Sequence, residues 1–180
     1  YYKNSDSKIT QITFDGKHNF VINGMPDWVY EEEFEMKDAF AWSPNSKYIS
    51  YLRFDESQVP LYSIPVYDSV YHSSISFKYP KAGYPNSKVT AHLYSLATNT
   101  TIELVMPKPY EYIAEISWID SVNVAFTLLN RHQNTIDIVK YHILDGKSQI
   151  IYSYSTSTYV DIPSFFTPIP HTNTFAIVND

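Results

Sequence analysis

The feature that most constrains this chain of 180 residues is a series of short runs in which apolar and polar side chains alternate. Alternation puts the apolar side chains on one face of a strand, so these runs predict half-buried β-strands. Three pairs of runs flank turn signals, and Asp-Gly predicts a tight hairpin because Gly accepts a positive φ. The three turn signals are Asp15-Gly16, residues 97–100 and Asp145-Gly146.

A longer repeat lies above these hairpins. Residues 42–51 read as a short strand, a polar turn and a second strand, and residues 118–126 repeat this scheme. Phe166 opens a looser third copy, about 48 residues after Trp118, which is within the period of four-stranded propeller blades. We therefore predict an all-β fold, a partial propeller of about three to four four-stranded antiparallel blades within residues 1–180.

One insertion interrupts the repeat, because Trp42 and Trp118 are about 76 residues apart where one blade needs fewer. We place the inserted segment at residues 57–88 and expect it to be functional or arm-like, since long loops in compact domains are uncommon. Proline lacks a backbone N–H and is confined to edge strands, so the prolines here favour an extended arm. The segment is also rich in tyrosine and serine.

An acidic motif at residues 27–33 reads Asp-Trp-Val-Tyr-Glu-Glu-Glu. Three consecutive carboxylates after two aromatic residues make a concentrated negative site that suits a cation, and the free α-ammonium of a peptide is one candidate. The alternative is a solvated face or the acidic first turn of a helix. Residues 27–39 are the best helix candidate in the chain, with Asp27 as its N-cap.

Composition excludes several classes of function. The net charge of −6 comes without a basic stripe, which argues against nucleic acid. No apolar run approaches the roughly 20 residues of a membrane span. The chain has no cysteine, no Gly-x-Ser-x-Gly elbow and no metal-binding histidine spacing, so we expect no cofactor, no metal and no catalysis by this stretch alone. It begins at Tyr1 without a methionine, and we take it to be part of a longer protein.

Residues 24–33 resemble the double-glutamate segment of the dipeptidyl peptidase IV family, which are serine peptidases of the prolyl oligopeptidase clan. The resemblance runs from about Ile9 to Asp180, and the absence of cysteine points to a bacterial-type member. Further matching motifs follow in the same order at residues 42–51, 54–60, 79–83 and 129–134.

The resemblance implies roles for the three glutamates of the acidic motif. Glu32 and Glu33 would bind the free α-ammonium of the substrate, while Glu31 faces elsewhere. Beside the resemblance, we expect Asp27, Trp28 and Tyr30 to have structural, supporting roles, with Trp28 and Tyr30 packed under the glutamate turn. The alternative for Trp28 and Tyr30 is direct contact with substrate. The catalytic Ser, Asp and His of this family lie in a C-terminal α/β-hydrolase domain, which we expect to be absent from this chain.

The implied function is the substrate-recognition propeller of a dipeptidyl peptidase that releases Xaa-Pro or Xaa-Ala dipeptides from peptides with a free N-terminus. The fragment itself should be inactive. The resemblance also implies a homodimer formed through the arm around Tyr67–Gly83, and a periplasmic or extracellular location. The main alternative is a non-catalytic propeller that binds other proteins, and a glycan-binding propeller is a second alternative without a motif in its favour.

Overall fold

The structure is a computed structural model that describes residues 1–162, 166–169, 172 and 174–177. These residues form fifteen strands and one short helix, and no helix among them is long and apolar enough to cross a bilayer. In chain order the elements are β1 (Tyr2–Lys3), β2 (Ile9–Thr10), β3 (Val21–Asn23), α1 (Trp28–Glu33), β4 (Phe40–Trp42), β5 (Tyr48–Asp55), β6 (Leu61–Val66), β7 (Ser73–Lys78), β8 (Lys88–Ser95), β9 (Thr100–Leu104), β10 (Tyr112–Trp118), β11 (Asn123–Leu129), β12 (Thr135–His142), β13 (Lys147–Ser155), β14 (Phe166–Pro168) and β15 (Phe175–Ile177).

Two antiparallel sheets make up the body of the described chain. The first, larger sheet has five strands, in the order β3-β5-β8-β9 with β4 also paired to β5. The second sheet has four strands in the order β10-β11-β12-β13. Two-stranded sheets are formed by β1 with β2, by β6 with β7 and by β14 with β15. The all-β prediction is therefore confirmed, and the sheets have the antiparallel, blade-like form that the repeat predicted.

Two of the three predicted hairpins are present. Strands β12 and β13 meet at Gly146, which has a φ of 70°, and β8 and β9 meet at a turn where Asn99 has a φ of 55°. Glycine and asparagine are the residues that adopt this left-handed conformation at least cost.

The predicted hairpin around Asp15-Gly16 is wrong, because β2 pairs with β1 and β3 pairs with β5. The Asp15 carboxylate accepts hydrogen bonds from Arg53 Nε at 2.7 Å and from Asn23 Nδ2 at 2.8 Å. These contacts attach the turn to the outer end of the larger sheet, so the flanking runs reach other partners instead of each other.

The two main sheets face each other across a continuous apolar core, and the repeat predicted from the tryptophans is visible in this interface. Trp42 ends β4 and Trp118 ends β10, the first strand of each repeat. The Trp118 indole N–H donates to Ser50 Oγ at 3.0 Å, joining the second sheet to the first. The largest fully buried side chains of the core include Tyr30, Phe54, Ile113, Phe126 and Ile138.

The insertion contains a separate two-stranded hairpin, and we call residues 57–88 the arm. Strands β6 and β7 pair from Leu61↔Lys78 to Val66↔Ser73 and join no other sheet. Pro65 fits because each strand of a two-stranded sheet has a free edge, where a missing N–H leaves no partner unsatisfied. Most residues of the hairpin are exposed.

A partly buried ion pair gives a test of the second sheet. Lys108 donates to Asp137 on β12, which is almost fully buried and also accepts from Ser153 Oγ at 2.7 Å. We expect Lys108→Met to lower the free energy of unfolding by about 2–4 kcal/mol, since removing one partner leaves an uncompensated buried charge. Lys147→Met is the control, because its pair with Asp145 is exposed and contributes at most about 1 kcal/mol. Equal effects of the two changes in urea denaturation would contradict this assignment.

Candidate functional site

The acidic motif folds into α1, and Asp27 is its N-cap as the sequence predicted. The Asp27 backbone is extended, and its Oδ1 accepts from the Tyr30 backbone N–H at 3.0 Å, satisfying one donor of the first turn. Its Oδ2 accepts from Ser87 Oγ at 2.5 Å. Both Asp27 and Ser87 are buried. Burial raises the pKa of Asp27, while the hydrogen bonds from Ser87 and the helix backbone lower it.

The helix is shorter than the predicted span of residues 27–39 and ends at Glu33. Phe34 leaves the helical conformation, and Glu35 has a φ of 51°, which is a left-handed conformation that a glutamate rarely adopts. The Met36 backbone N–H then donates to the Tyr30 carbonyl at 3.1 Å and closes the helix end. The chain after Glu33 therefore turns back toward the core, where Met36 is buried.

Tyr30 fixes the middle of α1 to both main sheets. Its side chain is fully buried, and its hydroxyl accepts from the Ile113 backbone N–H of β10 at 3.0 Å. Its ring contacts Phe54 of β5 edge-on at a centroid distance of 4.8 Å, and contacts Phe34 and Tyr112 in the same manner. Burial raises the pKa of Tyr30 well above its ordinary value, so the hydroxyl is neutral. Tyr30 therefore anchors the helix to both main sheets.

Trp28 joins the start of the helix to the foot of the arm. Its ring is half-buried and lies edge-on to Tyr79 at 4.5 Å between centroids. Tyr79 follows β7 directly and also contacts Tyr62 across the arm hairpin and Phe77 of β7. The arm and α1 are therefore packed against each other through aromatic rings, an arrangement that contributes roughly 0.5–1.5 kcal/mol per pair beyond burial.

The three glutamates are all exposed and do not share one environment. Glu31 lines a cavity of about 510 Å³ that also contains Asp27 and Glu56. Glu33 lines a different cleft. Glu32 lines neither of these two spaces, so each of the three glutamates has a different environment.

The cleft beside Glu33 has a volume of about 470 Å³ and is acidic. Its walls come from the segment after α1, from β10 and from the residues that follow β13. Glu35, Asp38 and Asp161 contribute further carboxylates, with Lys37 as a basic residue of the lining. Burial, and then the negative charges of Asp161 and Glu33, raise the pKa of Tyr159 at the cleft wall. The cleft therefore favours a positively charged ligand.

The charge pattern of α1 is unfavourable for the helix itself. Glu32 and Glu33 lie at the C-terminal end, where the helix dipole disfavours negative charge, and the last turn has no basic residue. Among the ion pairs of the described residues, none involves Glu31, Glu32 or Glu33. Local rules are most often broken at functional sites, so this arrangement marks the helix end as a candidate site.

Comparison with known proteins gives a consistent result. A sequence model described as the dipeptidyl peptidase IV N-terminal region matches residues 1–180. The chain is 36% identical over 159 residues to dipeptidyl peptidase 4 of Arthroderma otae, which covers 82% of this chain and 20% of that protein. It is 33% identical over 164 residues to dipeptidyl peptidase 4 of Sus scrofa, covering 82% of this chain and 21% of the relative.

This chain belongs to the dipeptidyl peptidase IV family. It is similar to the crystal structure of Porphyromonas gingivalis dipeptidyl peptidase 4, with a TM-score of 0.83 and 36% identity over 87% of this chain and 23% of the other. A putative dipeptidyl aminopeptidase IV from Bacteroides ovatus, 24% identical with a TM-score of 0.71 over 83% of this chain and 21% of that one, shares the fold. The chain spans about a fifth of the length of the curated relatives it matches. Fungal and bacterial relatives are equally similar, so the bacterial origin stays a prediction.

Ser87 is a residue of this dipeptidyl peptidase IV segment that sequence reasoning missed. It lies 60 residues from Asp27 and belongs to no motif, so only the fold brings the two together. The segment before it is held to the second sheet, because Asn86 Nδ2 donates to Glu111 Oε1 and to the Tyr112 hydroxyl, both at 2.8 Å. Arg131, part of a motif that carried the family resemblance, bonds Glu111 Oε1 at 2.8 Å and the Tyr84 carbonyl at 2.6 Å.

Glu56 is a second missed residue, although it lies in a motif quoted for the family. It is buried, and it lines the cavity shared with Asp27 and Glu31. Burial and then the charge of Asp27 raise the pKa of Glu56, while Lys78 of β7 lowers it. No group of three or more His, Asp or Glu within the described residues is placed to hold a metal ion.

The raised pKa of Glu56 predicts how stability depends on pH. The neutral carboxyl is favoured in the folded state, so this stabilisation is present below the ordinary value of 4.5 and is lost as the pH rises through the folded-state pKa. We expect Glu56→Gln to raise the free energy of unfolding at neutral pH and to flatten its decline above pH 4.5. Urea titrations at several pH values measure this, with the exposed Glu103→Gln as control. A variant that is less stable than the parent at pH 7 would contradict the prediction.

Proposed function

We propose that this segment is the substrate-recognition part of the propeller of a serine dipeptidyl peptidase. In this proposal the full-length protein releases Xaa-Pro or Xaa-Ala dipeptides, and Glu32 and Glu33 bind the free α-ammonium of the substrate. The nucleophile and its partners belong to a region outside this chain. The proposal rests on family membership and on two exposed carboxylates at the end of a short helix that is anchored to the core through Val29 and Tyr30.

The observation that carries the proposal is the contrast between the two sides of α1. Asp27 and Tyr30 are buried and fully engaged, whereas Glu32 and Glu33 are exposed at the helix end. The contacts of Asp27 and Tyr30 fix the helix backbone before the ligand arrives, so little backbone entropy is lost on binding. The acidic cleft beside Glu33 offers space for the positively charged end of a peptide.

The energetics fit a carboxylate pair that selects a free amine. A peptide α-amino group has a pKa of about 7.7–8.0, so most of it is charged at neutral pH. Hydrogen bonds to charged groups contribute about 1.5–3 kcal/mol each. Acylation removes the charge and leaves the carboxylates without their cation. Two carboxylates can therefore separate free from blocked N-termini by several kcal/mol.

The same contact explains why a dipeptide would be the product. If the ammonium is held at a fixed distance from the nucleophile, only the peptide bond two residues from the N-terminus reaches it. Binding energy from the amine is then used to position the reacting bond, which is a general source of catalytic rate. The end of the propeller helix thereby acts as a stop that makes the enzyme an exopeptidase.

The test is the activity of the full-length protein toward Xaa-Pro substrates with free and with N-acetylated amino termini. We expect cleavage of the free form only. Glu32→Gln and Glu33→Gln should each lower kcat/KM between about tenfold and about a hundredfold, the equivalent of one lost charged hydrogen bond. Glu31→Gln is the matched control and should change kcat/KM less than threefold.

Equal cleavage of the free and acetylated substrates would show that the glutamates have only a structural role. Cleavage of neither substrate would favour the non-catalytic interaction module. A loss for Glu31→Gln as large as for the other two variants would mean that the whole acidic run, and not the pair at the helix end, provides the charge.

We also propose that the arm forms part of a homodimer interface. Tyr67, Val70 and Tyr71 at its tip are 79%, 96% and 86% exposed. The hairpin adds further exposed apolar residues at Leu61 and Ile75. Aromatic anchors are enriched in protein interfaces, and an exposed apolar patch on an extension marks a surface for association.

Replacing Tyr67, Val70 and Tyr71 with serine should convert the full-length dimer to a monomer, because the change removes the apolar anchors of the tip. Sedimentation velocity at micromolar concentration measures the change. Leu144→Ser is the control, because Leu144 is an apolar residue on the β12–β13 turn that is 67% exposed, and this change should leave the dimer intact. An unsubstituted protein that sediments as a monomer would overturn this part of the proposal.

A further inference from the structure

The helix that carries Glu32 and Glu33 cannot set its own position. It has six residues, whereas isolated helices shorter than about 12–15 residues are marginal in water. Negative charge at its C-terminal end opposes the helix dipole. The left-handed Glu35 that follows adds local strain. The direction of the two glutamates therefore depends on contacts made by the start and the middle of the helix.

Asp27 is the contact at the start, and its two oxygens have different tasks. Oδ1 binds the Tyr30 N–H within the helix, so it orients the first turn relative to Asp27 alone. Oδ2 accepts from Ser87 Oγ at 2.5 Å, and this bond ties the carboxylate to another part of the fold. The negative charge of Glu56 interacts unfavourably with that of Asp27. Without the Ser87 hydroxyl, Oδ2 would be left buried beside this like charge.

Ser87 is itself held rigidly. It is buried at the point where the arm returns to the larger sheet, one residue before β8. The neighbouring Asn86 is bonded to Glu111 and Tyr112 of the second sheet, and Arg131 fixes the Tyr84 carbonyl. The Ser87 hydroxyl is therefore held in a fixed position relative to the two main sheets.

We infer that Ser87 is a positioning residue for substrate recognition, because its hydroxyl holds the N-cap carboxylate of Asp27 and so fixes where Glu32 and Glu33 meet the substrate ammonium. This role rests on the proposed function. Ser87 acts through Asp27 and has no contact with substrate in this scheme. The contribution of the hydroxyl is geometric, since a charge-assisted O–H···O⁻ bond of this length is strong and directional.

The test compares Ser87→Thr with Ser87→Val in the full-length enzyme. The two side chains have the same shape and differ only by the hydroxyl. The readout is a ratio of two inhibition constants measured with an Xaa-Pro dipeptide amide. The numerator is the constant of the N-acetylated form, and the denominator is that of the form with a free amino terminus. We expect Thr to keep the parent ratio and Val to lower it about five- to tenfold, through weaker binding of the free form only. Ser87→Ala should behave as Val does, which covers the case in which a branched side chain does not fit.

Ser43→Ala is the control for general loss of stability. Ser43 is also buried and its hydroxyl also bonds locally, but it lies at the β4–β5 turn. The Ser43→Ala variant should have a lower melting temperature and an unchanged ratio of the two inhibition constants. Equal ratios for Thr, Val and Ala at position 87 would overturn the inference while leaving the roles of Glu32 and Glu33 intact. A parent enzyme that binds the free and acetylated forms equally would overturn both.

Discussion

The carboxylate of Asp27 is the interaction on which the candidate site depends. It is buried, next to a second buried acid at Glu56, in a place where an isolated charge would be strongly disfavoured. Bonds from the helix backbone and from Ser87 offset this penalty. The helix begins where it does because this residue bridges its first turn to a segment 60 positions away. Desolvation raises the pKa of Asp27 and the hydrogen bonds lower it. The same hydrogen bonds fix the position of its carboxylate.

The two sheets supply the rest of the support. Tyr30 passes from the helix into the core, where its hydroxyl meets the Ile113 N–H and its ring meets Phe54. Each of these groups lies on a different sheet, so the helix is braced at the junction of two repeats. A propeller-type fold suits such a site, because successive blades place strand ends side by side and their connections can then carry function on a rigid base.

Local patterns predicted the structure well where partners are close in sequence. The turns at residues 97–100 and at Gly146 follow from turn chemistry, and the N-cap at Asp27 follows from helix-start signals. Sequence reasoning failed where a distant partner decided the outcome. Arg53 draws Asp15 away from a hairpin, and the core draws Met36 back so that the helix stops early. The roles of Ser87 and Glu56 could not be predicted from the sequence, because these roles depend on burial next to Asp27, which only the fold produces.

The packing of Trp28 on Tyr79 divides the arm into two parts under different constraints. At the foot, the aromatic rings share contacts with the helix that carries the candidate site, so a change there disturbs two structures at once. At the tip, Tyr67, Val70 and Tyr71 are largely exposed and add little to the packing of the described chain. A substitution at the tip therefore acts on association with a partner and leaves the site in place, while a substitution at the foot acts on the fold. Such a division lets one scaffold change its associations without altering the geometry of its site.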